Sequence, residues 1–150
     1  MGRDISRARF ALAFVIAFAA AQAAHAADIG QIKVSKGDVA IDRGSQTIAG
    51  GVGARLQAAD VIRTGTDGSV GITMSDNSLL SAGPNSVLAL DRYAFDTTTN
   101  QGQFDTSLRK GSLSVVSGRI AKQSADAMTV RTPTAILGVR GTEFVVSVDP

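Results

Sequence analysis

The sequence has 150 residues, enough for one domain, with 15 Lys+Arg against 13 Asp+Glu and neither Cys nor Trp. The lack of cysteine excludes a disulfide framework, so a folded domain here must be held by its apolar core alone. The near balance of charge excludes broad electrostatic attraction to nucleic acid or anionic lipid.

Arg3, Arg7 and Arg9 open the chain, Phe10 to Ala21 is an unbroken apolar run, and Ala24-His25-Ala26 has the small-x-small form that signal peptidase accepts. That run is short of the roughly 20 residues a membrane span takes. Residues 1–26 therefore read as a helical signal peptide rather than an uncleaved anchor. Residues 27–150 read as the exported β domain, in the periplasm or at the cell surface, with no integral span after cleavage. Cutting after Ala26 removes three Arg and one Asp and leaves 12 residues of each sign, so the pI of 9.4 carries no message about an acidic partner. The cut also removes His25, the one histidine.

From Ile29 on, the periodicity is that of strands. Ile32 and Val34 alternate with polar neighbours, Lys36-Gly37-Asp38 supplies turn chemistry, and Val39 and Ile41 alternate again, a hairpin closed by Arg43-Gly44-Ser45. A short run Gln46–Ala49 leads to a Gly50–Gly53 turn. Leu56, an Ala58-Ala59-Asp60 corner and the run Val61–Thr64 follow. Gly65-Thr66-Asp67-Gly68 is a turn signal because Asp-Gly accepts positive φ. Val70, Ile72 and Met74 then share one face against Ser69, Gly71, Thr73 and Ser75. Asp76-Asn77 turns the chain, Ser78–Ala82 returns, Gly83-Pro84-Asn85 turns it again, and Ser86–Asp91 sets Leu88 and Leu90 against Val87 and Ala89. Tyr93 and Phe95 precede Asp96–Gln103, the segment with the character of a mobile loop. Strands resume at Phe104–Leu108 and Ser112–Val116, joined by a turn at Arg109-Lys110-Gly111. Gly118 to Asp126 allows one short helical turn, and Met128–Thr132 is extended. Turn signals every 8–12 residues indicate an all-β, mainly antiparallel sandwich or irregular solenoid-like domain of short strands.

The last stretch is the most patterned, and the chain reads as organised around it. Pro133 ends or bends the strand before it, since it fixes φ and donates no hydrogen bond. Gly138 and Gly141 bracket Val139-Arg140 as a bulge or tight corner. Phe144, Val146 and Val148 then alternate with Glu143, Val145 and Ser147.

The string Thr132-Pro-Thr-Ala-Ile-Leu-Gly-Val-Arg-Gly-Thr142-Glu-Phe144 closely resembles the signature of the FecR-type periplasmic domain. Ala59-Asp60-Val61-Ile62-Arg63-Thr64-Gly65 resembles that family's G-D-x-I-x-T-G element, with Ala59 for the usual Gly. Asp67-Gly68-Ser69-Val70 with Asp76-Asn77-Ser78 resembles its paired turns, with Asn77 where Gly is commoner, and Gly83-Pro84-Asn85-Ser86 matches too. The resemblance implies an all-β periplasmic domain of bacterial cell-surface signalling, with Asp60, Gly65, Asp67, Gly68, Pro84, Asn85, Pro133, Gly138, Arg140, Gly141, Thr142 and Phe144 as its motif positions. Family regulators carry an anti-sigma segment and a membrane helix ahead of the domain. Only a leader stands there in this sequence, which points to a stand-alone exported member with no direct hold on a cytoplasmic sigma factor. The family pattern also runs on into another strand, whereas this sequence stops at Asp149-Pro150, so the domain is either trimmed or a fragment.

Little here suggests chemistry. Without His or Cys, the commonest metal ligands and nucleophile–base pairs are missing. Lys33, Lys36, Lys110 and Lys122, the candidates for a Ser–Lys dyad, lie in turn or polar contexts. Asp67 and Asp76 occupy turns, where Asp bonds its own backbone. Gly50-Gly51-Val52-Gly53 has no helix or Lys-Ser/Thr pair after it to make a phosphate loop. No twelve-residue calcium loop is present. No enzyme, cofactor or metal is expected. Arg140 either turns inward against a carboxylate such as Asp60 or faces a partner. The expected function is protein interaction or sensing in the envelope, through an unidentified protein partner. The alternative is a polysaccharide- or cell-wall-binding module, for which Tyr93, Phe95, Phe104 and Phe144 are few aromatics. The same scarcity argues against single-stranded nucleic acid. The edge of Phe144–Val148 is either capped by an earlier segment such as Ile29–Val34 or open to strand addition by a partner or a second copy.

Overall fold

The computed structural model describes residues 26–124, 126–141 and 143–149. The expected leader, save Ala26, lies outside the described residues, and so does Thr142. The described chain is all-β apart from one short helix. In order come β1 (Gly30–Lys36), β2 (Val39–Arg43), β3 (Gln46–Ala49), β4 (Arg55–Leu56), β5 (Val61–Thr64), β6 (Ser69–Met74), β7 (Leu79–Ala82) and β8 (Val87–Phe95). Then follow β9 (Gly102–Val116), α1 (Arg119–Gln123), β10 (Met128–Arg131), β11 (Ile136–Gly138) and β12 (Glu143–Val148).

The strands form one sheet, ordered β3-β2-β5-β8-β9-β7-β6-β1-β4, with β10 and β12 also paired to β9 and β11 to β10. That order has a simple cause. β1 and β2, β6 and β5, and β7 and β8 are three strands bent in the middle, neighbours in the same sequence on both sides of the bend. β9 is the fourth. Its first part pairs with β8 and its last part with β7 and β12, and it crosses without leaving the strand. The sheet is thus folded over along a crease into a half-barrel. One layer, called first here, holds β4, β1, β6, β7, the end of β9, and β12. The second holds β3, β2, β5, β8, the start of β9, β10 and β11.

Alternation puts the core between the layers. Ile32, Ile72, Met74 and Leu80 from the first layer meet Ile41, Ile62, Leu88 and Phe104 from the second, all at most 2% exposed. Each such side chain contributes about 1.5–3 kcal/mol by leaving water, which is how a domain without disulfides stays folded. Helix α1 joins the end of β9 to β10, which lies parallel to the start of β9, the connection a parallel pair requires. The short helical turn expected after Gly118 is this helix.

The crease explains several sequence signals and corrects others. The Gly44 hairpin between β2 and β3 is present, with Arg43 opposite Gln46. Lys36-Gly37-Asp38, however, closes no hairpin, because it carries the chain from one layer to the other, and so does Gly65–Gly68. Neither Asp67 nor Gly68 has positive φ. Gly68 is needed for closeness instead: a Cβ there would collide with Asp38 O and stand 2.8 Å from Gly65 N. Arg109-Lys110-Gly111 is not a turn but the bend of the continuous β9, where Gly111 takes φ +89° against Ser86. The Asp96–Gln103 loop shrinks to 96–101, since Gly102 and Gln103 are in β9. Asp96 orders it, its Oδ1 accepting from Thr98 N at 2.8 Å and its carbonyl from Asn100 N at 2.8 Å. β9, with neighbours on both sides at Phe104–Ser107 and again at Leu113–Val116, is the organising element; the patterned 132–148 stretch is attached to it.

Candidate functional site

The motif residues fall into three places. Gly65, Asp67, Gly68, Pro84 and Asn85 gather at the crease. There Gly65 N donates to Asp38 O (2.9 Å), Asn85 N to Gly65 O (3.0 Å) and Gly83 N to Ser112 O (3.2 Å), a backbone ladder across successive bends. The Thr64 hydroxyl donates to Gly83 O at 2.6 Å and accepts from Ser86 N at 2.9 Å. A shallow cleft of about 490 Å³ lies over the crease, lined by Pro84, Asn85, Lys110, Gly111 and Val148. Its one charged side chain is Lys110, so it has no acid–base pair to offer.

Asp60 stands apart from both other groups. It is fully buried, and it does not meet Arg140, which is exposed. Its Oδ1 accepts from Arg43 Nε at 2.9 Å, and its Oδ2 from Arg43 Nη2 and Gln57 N, each at 2.8 Å. The fork is bidentate, the strong form of such pairs, and the bond to Asp60 raises the Arg43 guanidinium pKa further. Ala59, just before it, takes φ +71°.

The third group is the C-terminal stretch. Thr132–Ala135 is the turn between β10 and β11, in which Ala135 N donates to Thr132 Oγ1 at 3.0 Å. Pro133 sits where its missing donor is harmless. Gly138 makes no corner; it ends β11 opposite Thr129. Val139 is buried and donates its N–H to Met128 O at 3.0 Å, while Arg140 points out. The corner itself is at Gly141, φ +61°, with open space around it. β12 pairs with β9 from Glu143 opposite Val116 to Val148 opposite Gly111, and Phe144, Val146 and Val148 pack on the core. Ile29–Val34 does not cap β12, since β1 pairs with β4 and β6 at the far side of the first layer. Leu137, Gly138, Val139, Phe144, Val145 and Val146 line an apolar cleft of about 300 Å³ between β11 and β12.

Sequence reasoning missed a second buried carboxylate node. Asp76 Oδ1 accepts from Ser78 N (3.1 Å) and the Tyr93 hydroxyl (3.2 Å), and Oδ2 from Ser78 Oγ (2.8 Å) and Ile120 N (3.2 Å). It thereby caps α1, whose own cap residue Gly118 offers no side chain. Burial, and then the Asp76 charge, push the Tyr93 phenol above its ordinary pKa. The Asp-x-Ser spacing hinted at the local turn, but nothing local pointed to Tyr93 or Ile120. The four candidate lysines are exposed, and among the described residues no three metal-binding side chains cluster. No helix among them is long and apolar enough to cross a membrane.

The two outward faces of the folded sheet differ. The second layer bears Arg63 on Asp42 (2.5 and 2.9 Å), Arg92 near Asp105 (3.6 Å), and Thr129 on Asp105 (2.7 Å). In the first layer the central strands turn out Ser69, Gly71, Thr73, Leu79, Ser81, Ser112, Ser114 and Val116, between the buried Val70, Ile72, Met74, Leu80, Ala82, Leu113 and Val115. None is charged.

Architecture and buried nodes define the class: an all-β domain built on one mainly antiparallel sheet curled into a half-barrel. The family model described as FecR protein matches residues 60–150, more than half of the sequence, and the chain belongs to that family of envelope signalling and sensing domains. Among curated proteins and among solved structures, no match to the chain was found. The family match opens at Asp60, yet β1 and β2 pair with β6 and β5, so the preceding strands share the same sheet.

Proposed function

We propose that the chain is a non-enzymatic, exported module that senses or scaffolds in the bacterial envelope by contact with a protein partner. One observation carries this reading. Around the cleft between β11 and β12, Ile136 is 66% exposed, Leu137 36% and Val145 70%, a concentration of large apolar side chains at one end of the molecule. Surface apolar residues scattered singly need no explanation, but grouped about a concavity they suit a protein contact. The polysaccharide alternative has less support. Tyr93 is spent on Asp76 and stacks edge-on against buried Phe104, with centroids 5.0 Å apart, so neither offers a flat platform for a sugar.

The test is capture from envelope extract by the immobilised chain beside Ile136→Lys. Wild type retaining a partner that the variant loses supports the reading. Equal capture by both, or glycan-array binding without protein capture, overturns it. Export is checked by intact mass: the envelope form should begin at Ala27, and a chain beginning at Met1 would revive the anchor.

A further inference from the structure

The uncharged outward face of the first layer is bounded by opposite charges. On the β4 and β1 side stand Arg55 and Lys33, with Asp28 beside them, about a small cleft that Gln31 and Thr73 also line, and Lys36 is exposed further along β1 opposite Ser69. On the β12 side stands Glu143, exposed and turned outward, since Phe144 turns in. The ladder puts these ends in one row. Arg55 is opposite Gln31, Gln31 opposite Thr73, Thr73 opposite Leu79, Leu79 opposite Val116 and Val116 opposite Glu143.

We propose that this face is the contact surface for a second copy of the same chain, packed sheet on sheet about a two-fold axis parallel to the strands. Such an axis, passing between β6 and β7, reverses the row. Arg55 of each copy then lies over Glu143 of the other, and Leu79 lies over Thr73. In the next row, Val34 on β1, which is 49% exposed, lies over Ser114 on β9, and Gly71 lies over Ser81. Leu79 and Val34 thus meet smaller side chains, Gln31 lies over Val116, and each end of the row makes an ion pair. An axis perpendicular to the strands and running along this row would instead set Arg55 on Arg55 and Glu143 on Glu143, which like-charge repulsion disfavours. Stacked sheets of this kind sit about 10 Å apart with strand directions within about 30°. The balanced charge of residues 27–150 sets no long-range repulsion against the pairing.

Magnitude fixes what kind of dimer this is. Six strands about 4.8 Å apart, each about five residues long, give a footprint of roughly 400 Å². That is about half of the ~800 Å² per partner in a standard stable interface. The association is weak, and the rim charges decide its geometry. This inference concerns the purified chain alone and does not rest on the envelope partner proposed above.

Sedimentation of the purified chain from about 1 µM to about 1 mM tests it, a range that brackets weak affinities. Wild type should rise from monomer towards dimer mass. Arg55→Glu and Glu143→Arg should each weaken the association by about ten-fold, since each replaces two attractive pairs with two repulsive ones. The double variant should restore it, and each single variant should keep the wild-type melting temperature, so that the loss is one of association and not of folding. Leu79→Lys, at the middle of the face and away from the β12 edge, should abolish it. Wild type staying monomeric overturns the proposal, as does a double variant that fails to restore. A Leu79→Lys dimer of wild-type affinity overturns it in favour of edge pairing through β12.

Discussion

On the second layer Arg63 grips Asp42 with two hydrogen bonds, Thr47 adds a third, and Arg92 and Thr129 converge on Asp105. At matching positions on the first layer stand serines, a glycine, a threonine, a leucine and a valine. Both faces lie over the same core and on the same continuous sheet, so the contrast owes nothing to folding stability beneath them. A face whose charges are matched across neighbouring strands is complete in water. A face without charges loses little by being covered, because it has no ions to desolvate. On the dimer proposed above, the difference separates a solvated surface from a contact surface.

The strongest way to break the comparison is to remove what holds both layers. Asp76→Ala strips a buried carboxylate from Tyr93, Ser78 and the first turn of α1, leaving several buried donors without an acceptor. A loss of about 3 kcal/mol or more in denaturant unfolding is expected. Asp42→Ala, which breaks only the exposed bonds to Arg63 and Thr47 on the second layer, should leave unfolding close to that of wild type. Equal losses would show that the ionic face, not the node beneath, secures the fold.

Next in size is the corner where the chain passes from β11 in the second layer to β12 in the first. Gly141→Val forces a β-branched residue to φ +61°, and a loss of about 1–3 kcal/mol is expected. Because the space there is open, the strain is conformational and not a clash. Val145→Thr, on the outward face, should melt within a few degrees of wild type. Indistinguishable melting of Gly141→Val and Val145→Thr would place the corner elsewhere.

Ala59→Gly should act in the other direction, at the corner leading into β5. Ala59 sits at φ +71°, which a side chain pays for with roughly 1 kcal/mol. Relief of that strain, partly offset by the looser unfolded chain, should raise stability by up to about 1 kcal/mol. A fall in melting temperature would contradict the left-handed backbone there.

The smallest effect is one of pH and belongs to the ionic face alone. The Arg63 hydrogen bond holds the Asp42 carboxyl below its ordinary pKa. Burial pushes the Asp105 carboxyl up, but hydrogen bonds from Thr129 and Gln103 and the Arg92 charge outweigh it and hold it low. A carboxylate depressed in the folded state stabilises above its unfolded pKa, about 3.9, and that contribution fades as pH falls through the lower folded value. Asp42→Asn combined with Asp105→Asn should therefore flatten the stability curve below about pH 4 and leave its slope near neutrality unchanged. A changed slope between pH 6 and 8 would show that other groups govern it.

Strand identity and facing were legible because period-2 alternation is written in the residues themselves. Val70, Ile72 and Met74 share one face as read, and Phe144 and Val146 turn to the core as read, whereas Val34, read in step with Ile32, is turned out by a bulge in β1. Turn positions were legible too, but not what the turns connect. Gly-Asp and Asp-Gly pairs mark a change of direction equally well in a hairpin and at a crease. The choice between them depends on strands tens of residues away. The Arg43–Asp60 fork, 17 residues apart, and the Asp76–Ile120 cap, 44 apart, left no local trace for the same reason. Lys110-Gly111 read as a turn because positive φ at glycine is commonest in turns, whereas here it bends a strand that never breaks.

The crossing strand is also where the folded-sheet architecture is most exposed to test. Cross-strand nuclear Overhauser contacts on the labelled chain should run from β9 to β8 at Phe104–Tyr93 and to β7 at Leu113–Ala82, with extended chemical shifts on both sides of Gly111. Contacts between Phe104–Leu108 and Ser112–Val116, with turn shifts at Arg109-Lys110-Gly111, would mean a local hairpin. The crease, and with it the uncharged outward face, would then not exist.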